Sequence, residues 1–381
     1  MNFEFSMEEK LIKQTADEFG REVIAPQVGE LFKKGEFPYE ILKQLIDMGF
    51  AGFFAPEEYG GNKVSTVSYV LALEEMAKYD STIPLILQVQ NLVIEVYSRF
   101  ASEKQKSEWL PRLTSGQVIG SIAMTEPGAG SDLASASTTA KIQGDKWILN
   151  GSKTFISNSG TKLSDGMIVL AATGEENGRK KFSTFIVPRN SKGLIVGKQI
   201  EKIGWKHGDT REIFFENCEI PLENMLGEEG KGLRHVLTGM DVGRLAFAAC
   251  SVGMAEGALN MALDHAKTRV QFGMPISKLQ AIQFKLAEMK TKVNAARSLT
   301  YMAACARDQK QSNVEEMASM AKLFASKVAV EVVDESFQIH GGYGFTLEYP
   351  ISRFYADVKM MEIGEGTSEV QKLFIARKMG C

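Results

Sequence analysis

One carboxylate, Glu365, lies between two glycines, Gly364 and Gly366, close to the C-terminal end of the sequence, and two hydroxyl residues, Thr367 and Ser368, follow it. Glycine lets the backbone approach a ligand closely and adopt turns that other residues resist. Glu365 could therefore reach into a pocket and act as a base. The alternative is an ordinary turn before the last helix, in which Thr367 or Ser368 caps the helix and Glu365 points to water. These residues alone leave both interpretations open.

Two other segments have the composition of cofactor-binding loops. Residues 124–132, MTEPGAGSD, combine hydroxyl side chains with backbone N–H groups that glycine leaves uncovered, as in loops that bind anions and heteroaromatic edges. Residues 338–345, QIHGGYGF, form the second segment. With the turn at Glu365, they make the chain resemble the acyl-CoA dehydrogenase family over essentially its whole length, because residues 124–132 match the family's first signature and residues 338–345 match its second.

The resemblance implies a reaction: FAD-dependent α,β-dehydrogenation of an acyl-CoA thioester in carboxylic acid catabolism. Glu365 would remove the α proton, and the flavin N5 would accept the β hydrogen as hydride. Electron-transferring flavoprotein is the implied electron acceptor, and a homotetramer is the implied assembly. One subgroup of the family carries its catalytic glutamate at the position matching Gly243, and glycine there leaves Glu365 as the base. A flavin-dependent oxidase or monooxygenase on the same fold and a non-catalytic CoA-binding or helical scaffold protein are the alternatives.

The resemblance also implies which residues contact FAD. Those expected near the flavin or beside FAD are Met124, Thr125, Ser131, Phe155, Ser157, Thr367 and Glu369. Those expected to grip the adenosine diphosphate half across a subunit interface are Arg269, Phe272, Gln280, Gln338, Gly341 and Gly342. Two of these residues also have simpler explanations: Phe155 as β-domain core, and Arg269 as a charge that compensates the dipole at a helix C-terminus.

Substrate contacts are predicted from the resemblance and from local composition. Ser131, Asp241, Arg244, Asn91, Gly364 and Gly366 form this set. Asp241 and Arg244 could instead be a solvated acid–base pair on one helix. Asn91 belongs to the run of residues 87–92, which is predicted to line the acyl end with a partly polar floor. Many family members carry Tyr where this chain has Gly364, and the loss of that ring predicts a wider pocket and a short, branched or alicyclic acyl group.

Composition excludes several other functions. The 381 residues carry 44 Lys plus Arg against 47 Asp plus Glu, a net charge of -3, so nothing indicates a nucleic-acid partner or an anionic membrane surface. Residues 1–10 show neither a signal nor a transit peptide, which predicts a cytoplasmic protein. The apolar stretch of residues 245–255 is too short to span a membrane. Four cysteines and four histidines lack ligand spacing, so no metal site is predicted.

Periodicity divides the chain into three parts and predicts an α+β multidomain fold. Residues 1–115 form an N-terminal helical domain, residues 116–225 a β-sandwich or barrel, and residues 226–381 a C-terminal four-helix bundle. Capping boxes are predicted at Ser6 with Glu9, at Ser102 with Gln105 and at Ser312 with Glu315. Asn150-Gly151 predicts a tight hairpin, and residues 233–268 predict a single helix.

Overall fold

The computed structural model of the protein describes residues 4–381. The first three positions, on which the predicted N-terminal domain and the predicted lack of a leader partly depend, lie outside the described residues. The described chain begins with helices, and a π-helical turn, Gly20–Ile24, joins the first two. These helices are α1 Met7–Phe19, α2 Ala25–Lys34, α3 Tyr39–Asp47, α4 Thr66–Ala77, α5 Thr82–Phe100 and α6 Glu103–Thr114.

Local sequence determines where two of these helices begin. Ser6 Oγ accepts the backbone N–H of Glu9 at 3.1 Å, and the Glu9 carboxylate accepts the N–H of Ser6 at 2.7 Å. Ser102 and Gln105 make the same reciprocal pair at the start of α6. Both predicted capping boxes are confirmed, and they satisfy N–H groups that a helix leaves unpaired.

The middle of the chain forms one connected sheet. Its strands are β1 Ile122–Ala123, β2 Thr139–Gln143, β3 Lys146–Ser157, β4 Gly166–Glu176, β5 Arg179–Pro188, β6 Leu194–Gln199, β7 Thr210–Pro221 and β8 Met225–Leu226. The order is β6-β7-β3-β2-β4-β5-β8, with β1 parallel to β4. Alternate residues such as Leu149, Val169, Phe185 and Ile213 pack in one core on a single face, as expected for a period of two.

The last part of the chain returns to helices. They are α7 Gly232–Thr238, α8 Met240–Thr268, α9 Gln280–Asp308, α10 Val314–His340, α11 Ile351–Val358, α12 Met360–Ile363 and α13 Ser368–Lys378. A small hairpin of β9 Val270–Gln271 and β10 Met274–Pro275 joins α8 to α9. The predicted order of helical, β and helical parts is confirmed.

Three local predictions are wrong. Asn150-Gly151 does not turn the chain, because β3 continues through it with a bulge opposite β7, and Gly151 has φ 141 where a Cβ would meet Thr138 Oγ1 at 2.6 Å. The predicted helix of residues 233–268 breaks at Gly239, where a Cβ would lie 2.7 Å from a methyl group of Leu92 on α5. Helix α10 has Asn313 as its N-cap, without a side-chain hydrogen bond, so the predicted capping box of Ser312 with Glu315 is not formed.

One hydrophobic core contains residues from both ends of the sequence. It includes Phe19, Leu45, Leu71 and Ile83 from the N-terminal helices together with Leu245 and further buried residues of α8, α9, α10 and α11. The β domain keeps its own core. The first and third parts of the chain are therefore joined by packing, although the whole β domain separates them in sequence.

The same packing explains the most apolar helical stretch. Within residues 4–381, one stretch, Gly232–Thr268, is long and apolar enough to cross a membrane, but 83% of its most apolar window is buried inside the protein. A helix buried in this way belongs to the core of the folded protein. Residues 245–255, which were predicted to be too short to span a membrane, lie in it.

Candidate active site

The turn that carries Glu365 lies between α12 and α13. Thr367 is the N-cap of α13, and its Oγ1 accepts the N–H of Val370 at 3.3 Å. Glu365 has φ 52 and Gly366 has φ 87, so two successive residues occupy the left-handed region. Such a conformation costs free energy for a residue with a side chain, and it persists only where the surroundings impose it.

Two buried side chains hold this turn in place by donating hydrogen bonds to its carbonyl oxygens. Lys322 on α10 donates from Nζ to Gly366 O at 2.8 Å. Gln371 on α13 donates from Nε2 to the carbonyl oxygens of Glu365 and Gly366, both at 3.0 Å. Neither side chain was found from the sequence, because the contacts join residues that belong to no common motif.

The Glu365 carboxylate does not extend into bulk water. Gln88 on α5 donates from Nε2 to Glu365 Oε1 at 3.1 Å. On the other side lies Gly243 of α8, where a Cβ would be 2.6 Å from Glu365 Oε2. The carboxylate is thus lodged between α5 and α8, and glycine at position 243 is what leaves room for it.

This environment changes the proton affinity of Glu365. Burial raises its pKa, while the hydrogen bond from Gln88 and the positive charges of Arg244 and Lys322 partly oppose that rise. Burial also lowers the pKa of Lys322 to about 8. A carboxylate with a raised pKa is better matched to abstraction of a proton near neutral pH.

The predicted widening beside Gly364 is not seen. A Cβ on residue 364 would lie 2.5 Å from Cε1 of Phe247 and 2.7 Å from its Cζ. The Phe247 ring, which itself packs edge-on against Trp205 with centroids 6.1 Å apart, therefore fills the space expected to be empty. The aromatic group missing from position 364 is supplied by α8.

The alternative interpretation of Asp241 and Arg244 as a solvated acid–base pair is wrong, because both side chains have other partners. Asp241 Oδ2 instead accepts from Arg307 Nε of α9 at 3.1 Å. Arg244 is buried, donates from Nη1 to Ser319 Oγ at 3.1 Å, and stacks over the Phe374 ring at 4.9 Å. Its Nε is buried and has no hydrogen-bond partner among the described residues.

Asn91 does not fit its predicted place at the substrate. Its Nδ2 donates to Phe50 O at 3.1 Å and to Leu87 O at 3.0 Å, and its Oδ1 accepts the N–H of Phe53 at 3.0 Å. The amide is fully buried and tied to backbone groups, so it holds a loop in place. The polar residue of the 87–92 run that reaches the carboxylate is Gln88.

The first signature loop is anchored by its own glutamate. Glu126 is buried and pairs with the fully buried Lys153 on β3 at 2.8 Å, and it also accepts the N–H groups of Ser137 and Thr138 at 2.6 and 2.9 Å. Although burial alone would raise the pKa of Glu126, these hydrogen bonds lower it to about 2. Ser131 remains exposed on the loop that this pair holds.

The surface beside this loop fits a planar cofactor. Thr154 N donates to Thr125 O at 2.9 Å, which joins the loop to β3. The next residue, Phe155, has φ 60 and is 63% exposed, so the interpretation of Phe155 as β-domain core is wrong. Met124 and Ser157 are half-buried on either side of this junction. An aromatic ring held outward by a left-handed backbone gives the apolar face that an isoalloxazine ring would need.

The residues predicted to hold the adenosine diphosphate half are exposed at the end of the C-terminal helices. The Arg269 guanidinium lies 5.3 Å over the Tyr343 ring, so the C-terminal end of α8, just before the β9–β10 hairpin, contacts the second signature. Phe272 at the hairpin tip is 86% exposed. Gln280, Gln338, Gly341 and Gly342 are likewise exposed, as is Glu369 on α13. Within one chain these residues line an open surface.

No metal centre is present in the part of the chain that the structure describes, because residues 4–381 contain no group of three or more His, Cys, Asp or Glu side chains able to hold an ion. Cys218, Cys250, Cys305 and Cys381 are all free thiols.

Comparison with known proteins relates this geometry to a family. The models for the acyl-CoA dehydrogenase N-terminal, middle and C-terminal domains match residues 6–117, 121–218 and 230–380. An acyl-CoA dehydrogenase of Bacillus subtilis (strain 168) is 41% identical over 373 residues, 98% of this chain and 98% of that protein.

Two solved structures have the same fold. Butyryl-CoA dehydrogenase from Megasphaera elsdenii has a TM-score of 0.95 at 38% identity, with 100% of both chains covered. A chain in the structure of the electron transferring flavoprotein of Acidaminococcus fermentans has a TM-score of 0.95 at 39% identity, covering 100% of this chain and 99% of that one. The protein therefore belongs to the acyl-CoA dehydrogenase family, oxidoreductases that act on CH–CH groups.

Proposed function

We propose that this protein is an FAD-dependent dehydrogenase of short-chain acyl-CoA thioesters and that Glu365 removes the α proton. The observation that carries the proposal is the Glu365 carboxylate, which is lodged between α5 and α8 and whose pKa burial raises. A half-buried carboxylate with one oxygen that accepts no hydrogen bond from the described residues is suited to take a proton from carbon. The family of the chain supports the reaction class.

The side chains around Glu365 have distinct tasks in this proposal. Lys322 and Gln371 fix the turn, so the base does not have to be ordered when substrate arrives. The positive charge of Arg244 favours the ionised form of the base. FAD, when bound against Phe155 and the loop that Glu126 anchors, supplies the acceptor for the β hydrogen.

The proposed acyl group is short. The fold matches that of butyryl-CoA dehydrogenase with 100% coverage, and the Phe247 ring fills the space beside Gly364. Anaerobic bleaching of the flavin by saturated acyl-CoAs of increasing length, with branched and alicyclic members included, should give the highest rate with about four to six acyl carbons, because a longer chain would have to displace Phe247. An optimum at long linear acyl groups would contradict the proposal.

The proposed electron acceptor is electron-transferring flavoprotein. The solved structure of that kind from Acidaminococcus fermentans contains a chain of the same fold. Reduction of added electron-transferring flavoprotein under anaerobic conditions tests this assignment. Rapid hydrogen peroxide formation in air, without that acceptor, would favour an oxidase instead.

The proposed assembly is a homotetramer in which the open surface around Phe272 is covered by another subunit. Phe272→Asp should lower the assembly mass in sedimentation and release FAD, because a charge at an apolar contact has to be desolvated. Ile203→Asp is the matched control, since Ile203 is 79% exposed but belongs to the β domain. Unchanged mass and FAD content in the Phe272 variant would contradict the assembly.

A further inference from the structure

Three buried amide side chains lie within one turn of α5, and they have different partners. Gln90 donates from Nε2 to Leu113 O at 2.6 Å, and its Oε1 accepts the N–H of Gly120. Asn91 is tied to the backbone of Phe50, Phe53 and Leu87. Both amides therefore hold loops. Gln88 is only 1% exposed, and it donates to the Glu365 carboxylate.

The hydrogen bond from Gln88 makes the two oxygens of the Glu365 carboxylate different. Nε2 of Gln88 is 3.1 Å from Oε1. Oε2 lies against Gly243, where a Cβ would come within 2.6 Å of it, and it accepts no hydrogen bond from the described residues. A side-chain amide is a fixed donor, so it favours the one rotamer of Glu365 that places Oε1 against it. We propose that Gln88 is a positioning residue for the base: it holds Oε1 and so leaves Oε2 as the oxygen that takes the substrate's α proton.

This proposal rests on the proposed role of Glu365 as the base and concerns how that base is held. Packing alone does not account for Gln88, because burial of an amide without a partner costs free energy and an apolar side chain of the same length would fill the site without that cost. The bond to the carboxylate is what offsets the burial of the amide. The amide acts as the donor in this hydrogen bond, so the bond stabilises the charged form of the Glu365 carboxylate.

The charged groups near the carboxylate come from several helices. Arg244 on α8 and Lys322 on α10 both favour ionised Glu365, as Gln88 does. Tyr69 on α4 is fully buried, its hydroxyl has no hydrogen-bond partner within residues 4–381, and Glu365 contributes to the rise in its pKa. Removal of the Gln88 donor leaves all of these charges unchanged, so a shift in the titration of Glu365 can be assigned to the lost hydrogen bond.

The test is Gln88→Met, which keeps the length of the side chain and removes the donor. Because the bond favours the charged carboxylate, its loss raises the pKa of Glu365. The acid limb of kcat/KM for butyryl-CoA should move upward by about one pH unit, and kcat should fall about tenfold while KM changes little. Gln90→Met is the matched control: it should lower the unfolding midpoint and leave the acid limb in place.

A second readout needs no turnover. Calorimetric proton uptake on binding of S-butyl-CoA, a thioether that cannot react, should show the same upward shift of its midpoint pH in the Gln88→Met variant. Gln88→Glu keeps the shape of the side chain and should shift both profiles further, because two neighbouring carboxylates share a proton.

Two results would overturn the proposal: a wild-type acid limb in Gln88→Met, or failure of both Gln88 variants to fold with flavin, which would make Gln88 a structural residue like Gln90. If Glu365→Gln is inactive while Gln88→Met has the wild-type profile, only the role of Gln88 fails. If Glu365→Gln is active, the proposed base fails.

Discussion

Glu365→Gln should retain bound FAD and lose about 100- to 10,000-fold in kcat/KM for acyl-CoA, the range that a general base contributes. Glutamine has the shape of the glutamate side chain, and its Oε1 can still accept from Gln88, so the turn held by Lys322 and Gln371 should remain intact. What it cannot do is accept a proton from carbon. Stopped-flow bleaching of the flavin under anaerobic conditions measures this step directly.

Glu362→Gln provides the comparison. Glu362 is a carboxylate on α12, three residues before Glu365, and it pairs with Lys359 at 2.5 Å. This ion pair is separate from the hydrogen bond that Gln88 gives to Glu365, so the Glu362 variant should bleach at the wild-type rate. Near-normal bleaching in Glu365→Gln would place the base elsewhere, and loss of flavin in that variant would give Glu365 a structural role.

Lys153→Met should destabilise the fold by about 3–5 kcal/mol, the cost of leaving one charge of a buried pair uncompensated. Glu126 would remain buried with its backbone partners but without the ammonium group 2.8 Å away. The first signature loop would also lose the bond from Lys153 Nζ to Met124 O. Urea unfolding gives the loss of stability, and flavin fluorescence gives the release of FAD, which should become easier.

The control for this change lies on the same strand. Lys146 pairs with Glu219 at 2.8 Å, but its side chain is half exposed, so water replaces the lost contact in Lys146→Met. The Lys146→Met variant should have the same free energy of unfolding in urea as the wild type and should retain FAD equally well. Equal stability of the two variants would mean that the buried pair does not hold the loop.

Local signals in the sequence predicted much of the fold. Capping boxes at Ser6 and Ser102 mark helix starts because they satisfy backbone groups within a few residues. Alternation with a period of two identified the β domain. The hairpin predicted at Asn150-Gly151 was wrong because a glycine with positive φ occurs in a β-bulge as well as in a hairpin turn. Only the pairing of β3 with β7 decides between the two.

The site was only partly predictable, for a related reason. Glycines on both sides marked Glu365, whereas Lys322 and Gln371 became visible only when distant helices were packed together. Gln88 and Asn91 have the same functional group and lie three residues apart. Which of them meets the carboxylate depends on how α5 faces its neighbours, and helix contacts rather than residue type determine that.

The core shared by the two helical parts has a consequence during translation. Phe19, Leu45 and Leu71 pack with Leu245 and other residues of α8, which is synthesised only after the whole β domain. Until then the early helices can pack on one another, but the apolar surface that α8 covers has no such cover. The final packing of the N-terminal helices therefore has to wait for the C-terminal helices, while the β domain, which has its own core, is able to fold first.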